Sequence, residues 1–159
     1  MNTSDRANLQ ERLLRLRERQ DRAHELVIPA LHRLMPIAQR DTGQSRRVAA
    51  FLLSCYNSTR FPFPMDELRG LDEEIFDDCI RVLQMDSMLR QEVHTYFPGG
   101  SKLFEKLAQD WRMSDHRRLK LIAQQLTETG VSGFENGEKG LQQQLRHALD
   151  GTWPAEEGS

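Results

Sequence analysis

Cysteine is scarce. Cys55 and Cys79 are the only two in 159 residues, and both stand inside apolar helical patterns, where a cysteine behaves as a small buried hydrophobe. The pattern argues against a disulfide, and no Cys-x-x-Cys pair suggests a redox or zinc site. Aromatic residues make up only 7% of the chain. No apolar run approaches the roughly 20 residues that a membrane span requires. The stretch NTSDRANLQER after Met1 is polar and lacks the apolar segment of a secretory leader, which predicts a cytoplasmic protein without a membrane partner. Asn57-Ser58-Thr59 matches a glycosylation acceptor, but without a secretory route the match has no meaning. Catalytic signatures are missing too: there is no Gly-x-Ser-x-Gly, no Walker loop and no His-Glu-x-x-His.

What is abundant is charge. Charged residues reach 29% against 38% hydrophobic ones, with a mean hydropathy of −0.66, a balance that suits amphipathic helices with large solvated faces. A chain of 18.5 kDa is one ordinary domain, able to bury about two-thirds of its unfolded surface without a metal or disulfide. The net charge of −2 conceals a segregation: residues 1–60 carry eleven Lys/Arg and six Asp/Glu, residues 61–98 three and nine, and residues 99–159 eight and nine.

Periodicity predicts an all-α, compact bundle of about six helices in one domain spanning 1–150: an N-terminal helical arm over 1–40, a central core over 42–97, C-terminal helices over 101–150, and a disordered tail over 151–159. Ser4 is positioned to cap the first helix, with Asp5 in its first turn. Leu9, Leu13, Leu16, Gln20, Ala23 and Val27 form a heptad-like seam beside a charged, mostly basic face. Pro29 is expected to end or kink this long basic helix near Val27 or Ile28, leaving a short or strained continuation through Pro36. Val48, Phe51, Leu52 and Cys55 mark a second helix apolar nearly all round, which belongs at the centre of the core. The Phe61-Pro62-Phe63-Pro64 loop must be extended, its aromatics pinned to that core. Met65 to Leu68 reads as a short turn. Asp72 then caps a helix whose predicted buried stripe is Ile75, Phe76, Cys79, Ile80 and Leu83. Glu92 to Phe97 alternates weakly, as a short strand would. Ser101 and Ser114 are expected to cap two further helices, and Leu141, Leu145, Ala148 and Leu149 mark a last one.

The segment from Asp66 to Asp78 holds seven carboxylates. Glu73 with Asp77, and Glu74 with Asp78, are spaced i, i+4 and share a predicted outer face. A hard cation wants six or more converging oxygens, whereas one helix face offers divergent ones, so no metal or other cofactor is implied. Carboxylates at Asp72, Glu73 and Glu74 favour the helix start, but Asp77 and Asp78 repel them, and only Arg81 is near enough to compensate. Such a face suggests electrostatic use. The arrangement 45–56, 65–69, 72–84 has helix-turn-helix lengths, yet its last helix would present five carboxylates to phosphates, which argues against that docking. Arg12, Arg15, Arg19 and Arg22 form the opposite, basic face, with Glu11, Glu18, Asp21 and Glu25 interrupting the patch. Cys79, His94 and Asp77 are the only grouping that suggests nucleophilic catalysis, and a structural cysteine accounts for the pattern better. Gly99-Gly100-Ser101-Lys102 is too short for a phosphate loop.

The segments TGQSRRVAAFLLSCYN, FPFPMDELRGLDEEIFDDCIRVLQMD and EVHTY, between Thr42 and Tyr96, resemble an uncharacterised bacterial domain family carried on proteobacterial integrative elements and plasmids. The resemblance leaves the basic first helix and the region after Ser101 outside it. It implies an accessory protein of a mobile genetic element.

Together these features predict a non-catalytic protein-binding or regulatory module that engages a bacterial host complex such as a defence system. The expected contact residues are Glu73, Glu74, Asp77 and Asp78 on one surface and Arg12, Arg15, Arg19 and Arg22 on the other. The two faces also suit pairing in a homodimer. The alternative is a DNA-associated regulator that uses the basic arm.

Overall fold

The computed structural model describes residues 3–88 and 90–129, together with Leu145, Arg146 and Leu149. They form helices α1 (Thr3–Ala38), α2 (Ser45–Asn57), α3 (Glu73–Asp86), α4 (Gly100–Asp110) and α5 (His116–Thr129), with 3-10 turns at Met65–Gly70 and Val93–Tyr96. Among the described residues there is no strand, and the architecture is the expected all-α bundle. The helix predicted around Leu141–Leu149 and the tail lie almost wholly outside the described residues.

Helix α1 does not end at its prolines. Its span runs through Pro29 and Pro36 to Ala38, although proline in a helix interior costs about 3 kcal/mol. Packing outweighs that cost, because Val27, Ala30, Leu31, Leu34 and Ala38 are fully buried and Met35 nearly so, and burying each large aliphatic side chain contributes roughly 1.5–3 kcal/mol. Both prolines point outward.

Helix α2 is central, as its composition predicts: Val48, Ala49, Phe51, Leu52 and Leu53 are buried, and it touches α1, α3 and α4. Phe63 meets Phe51 edge-on at 5.7 Å and Phe61 is buried, so the extended Phe-Pro-Phe-Pro loop is pinned as expected. Helix α3 lies antiparallel along α1. Its Asp78 meets Arg33 near one end, and the Met88 carbonyl just beyond it accepts from Gln20 near the other. The Trp111 indole N–H donates to the Ala38 carbonyl at 2.7 Å, satisfying an acceptor that the end of α1 leaves open.

Several local expectations are corrected. The segment expected to alternate as a strand curls into a 3-10 turn because the Thr95 backbone N–H and hydroxyl both donate to the Glu92 carbonyl. Asp115, not Ser114, caps α5, its Oδ1 accepting from the backbone N–H groups of Arg117 and Arg118. Helix α4 follows Gly99 in the left-handed region, φ 63°, so Ser101 lies inside the helix. A Cβ on the next residue, Gly100, would stand 1.7 Å from the His94 carbonyl oxygen. That contact fixes how closely α4 approaches the second 3-10 turn.

Candidate protein-contact surfaces

The acidic segment divides into carboxylates that hold the fold and carboxylates that face solvent. Asp78 is the main correction: expected on the outer face, it is 4% exposed. Its Oδ2 accepts from Arg33 Nε at 2.7 Å, and its Oδ1 from Arg33 and Arg81 at 2.6 Å. Burial opposes its ionisation, but the two guanidiniums outweigh that, and its pKa lies below the ordinary carboxylate value. The buried line of α3 is Asp78, Cys79, Val82 and Met85, with Ile75, Ile80 and Leu83 only half-buried and Phe76 exposed. The helix is therefore turned by about a quarter revolution from the predicted stripe.

Two more of the seven are also engaged. Glu67 accepts from Arg47 Nε at 2.6 Å. Asp72 holds the N-cap position, yet its side chain accepts from the Gln44 amide, whose own oxygen accepts from the Asp72 backbone N–H at 2.7 Å. Asp66, Glu73, Glu74 and Asp77 remain exposed. Of the four acidic residues expected on the outer face of this helix, Glu73, Glu74 and Asp77 are exposed and Asp78 is not.

The basic face is different in kind. Arg12, Arg15, Arg19 and Arg22 are all exposed; Arg15 pairs with Glu11 one turn before it. They belong to a part of α1 that extends past the bundle, since every residue from 5 to 19 is exposed and the first buried position is Ala23. The apolar seam does not stop where the packing does. Leu9, Leu13 and Leu16 continue the line of Ala23 and Val27, yet they are 48%, 50% and 53% exposed. Gln20 marks the transition, half-buried at the point where α3 ends. The heptad seam thus has a lower half occupied by the bundle and an upper half without a partner among the described residues.

Why the projecting part stays helical follows from its composition. It contains no glycine or proline and is rich in Leu and Arg, both strong helix formers. The packed half supplies the costly nucleus, and each further residue adds a hydrogen bond.

The other predicted candidates do not assemble. Cys79 is fully buried and burial, with Asp78 beside it, pushes its thiol up to about 12. Cys55 is pushed to about 12 by burial and then by Asp86. Asp77 is exposed, while His94 packs edge-on to Tyr56 with ring centroids 5.2 Å apart. His24 shares a 2.8 Å hydrogen bond with the Tyr96 hydroxyl, and His32 packs on Phe97. Among the described residues no group of three or more His, Cys, Asp or Glu could hold a metal ion, and no helix is long and apolar enough to cross a membrane.

One cluster was not predicted. Arg60 donates to Glu105 through both terminal nitrogens and to Asp115 through Nε at 2.8 Å, and its guanidinium lies 4.7 Å over the Phe61 ring. Tyr56 donates its hydroxyl to the same Glu105 at 3.0 Å. These contacts tie the end of α2 to α4 and to the start of α5. Position 60 closes a helix in sequence, and nothing local points to carboxylates 45 and 55 residues away. Beside this cluster a groove of about 260 Å³ runs between Phe61, Phe63 and His116, but its arginines are engaged inwardly, Arg46 with the Trp111 carbonyl and Arg47 with Glu67.

A family model described as a family of unknown function, DUF7673, matches residues 28–112. The match is wider than the resemblance between Thr42 and Tyr96. It takes in α1 from Ile28 onward and all of α4, and stops before α5, whereas the projecting half of α1 precedes it. No curated protein and no solved structure matches the chain significantly.

Proposed function

The chain belongs to the DUF7673 family of unknown function, and from that premise we propose that it is a non-catalytic protein-binding module, a cytoplasmic regulatory or accessory protein whose contact surface is the projecting half of α1. The observation that carries this reading is the exposure of Leu9, Leu13 and Leu16 on one line of a helix that has already left its own bundle. Three leucines in register, flanked by exposed arginines, form a contiguous apolar strip of the kind that marks a binding surface. The resemblance to a family carried on integrative elements and plasmids supports a mobile-element factor that engages a bacterial host complex. Glu73, Glu74 and Asp77 supply a second, acidic surface on the opposite sign of charge.

The test compares the proteins retained by the full chain with those retained by Leu9→Gln/Leu13→Gln/Leu16→Gln, in bacterial lysate. Glutamine keeps the helix propensity while removing the apolar strip. Loss of a retained protein on the triple variant supports the reading; identical retention by both chains overturns it.

A second reading, DNA backbone binding, draws on the exposure of Arg12, Arg19 and Arg22. Glu11, Glu18 and Asp21 interrupt that patch, and the leucines have no role in it. Binding of this kind must fall steeply between low and moderate salt in a mobility-shift assay.

A further inference from the structure

We infer that the projecting half of α1 takes an acidic amphipathic helix as its partner, laid antiparallel along the Leu9, Leu13, Leu16 seam in line with α3. This rests on the reading of the arm as a protein contact and specifies what binds it.

The bundle itself supplies the template. In the lower half of α1 the seam residues Ala23 and Val27 are covered, and the helix that runs alongside, α3, sends the buried carboxylate Asp78 to Arg33 on the flank of α1. Arg15 and Arg33 are 18 residues apart, which is about five turns at 3.6 residues per turn, so they lie on the same flank. Arg12, Arg19 and Arg22 fall on that flank as well. The lower half therefore shows how this helix face accepts a neighbour: apolar side chains on the seam and a carboxylate on the arginine flank. The upper half repeats both elements and has no such neighbour among the described residues. From Thr3 to Arg19 it offers about 25 Å of helix at 1.5 Å per residue, long enough for two heptads of a partner.

Charge also argues against a second copy as the occupant. With Leu13 and Leu16 on the seam, Arg12 and Arg19 border it on one side and Arg17 on the other. Parallel pairing of two arms would set Arg12 against Arg17, and antiparallel pairing would set Arg12 and Arg19 against their own equivalents. Both appose like charges at the centre of the contact. A partner with glutamate or aspartate beside its apolar line meets arginine on both sides.

The test uses the full chain and two synthetic helical peptides with identical leucines at the seam positions, one flanked by glutamate and one by lysine. Fluorescence anisotropy should show the glutamate peptide binding about tenfold more tightly at low salt, the sum of several exposed ion pairs. Reversing Arg12, Arg15, Arg19 and Arg22 to glutamate should invert the preference. Equal binding of both peptides, binding of neither, or a protein that light scattering shows to be a dimer through the arm overturns the inference. So does tighter binding of anionic vesicles than of the glutamate peptide. If the glutamine variant loses a retained protein while neither peptide binds, the contact reading stands and this partner assignment alone fails.

Discussion

Asp78, itself buried, holds arginines from two places, Arg33 on α1 and Arg81 on its own helix, both of which reach solvent. Asp78→Ala should lower stability by about 1–3 kcal/mol, because it removes the charge-assisted hydrogen bonds that hold α3 to Arg33 of α1. Asp77→Ala, one residue earlier and exposed, should stay within about 0.5 kcal/mol. Chemical denaturation separates them. Periodicity places Asp78 on the solvated face because the apolar residues Phe76, Ile80 and Leu83 suggest a different buried line, whereas its partner Arg33 lies 45 residues away in sequence. Reversing Asp77 and Asp78 to lysine would therefore break the fold and report nothing about the surface; Glu73, Glu74 and Asp77 are the residues for that purpose. The pH dependence has a definite sign. Asp78 and Glu105 have pKa values lowered by their arginines in spite of burial, so their contribution is complete above the unfolded values of about 4 and is lost as pH falls through the lower folded values. Asp86 is raised by burial and then by Glu92, so its contribution is present at low pH and lost as pH rises through its folded value. Asp86→Asn should raise the thermal midpoint at pH 7 and have little effect near pH 4. Gly100→Ala should cost more than about 1 kcal/mol, since the added Cβ meets the His94 carbonyl and not a movable side chain.

At the scale of the element, α1 is one helix with two environments. Residues 23–38 are packed and residues 5–19 are not, so amide exchange should be slow in the first span and faster in the second by orders of magnitude, as local fraying requires far less free energy than opening the bundle. Uniform protection along all of α1 would show that the arm is covered. Much of this helix was legible: the seam, the basic face and the central position of α2 follow from spacing alone. Its continuity through Pro29 was not, because the side chains that outweigh the prolines act through α2 and α3, which local rules do not see. The caps were read by residue type, and competition decided them. Asp115 accepted the backbone N–H groups of α5 in place of Ser114, and Gln44 took the Asp72 carboxylate away from its own helix end.

For the whole molecule, the segregation of charge visible in the sequence survives folding only in part. Glu67, Asp72 and Asp78 are taken up in contacts within the fold and Glu105 and Asp115 are gathered by Arg60, while the charges that stay exposed include a small acidic face on α3 and a long basic arm with leucines on it. The family match runs from Ile28 to Arg112, over the later part of α1 and all of α2, α3 and α4, and the arm precedes it.

The most direct measurement of whether those leucines belong to a surface or to a core is the denaturation midpoint of Leu9→Gln/Leu13→Gln/Leu16→Gln, set beside Leu34→Ala at several protein concentrations. With the strip free in the folded chain, the triple variant should unfold within about 0.5 kcal/mol of the parent at every concentration, while the single core truncation costs about 2–5 kcal/mol. A loss of several kcal/mol in the triple variant, or one that grows with protein concentration, would show the strip already buried against the chain or against a second copy.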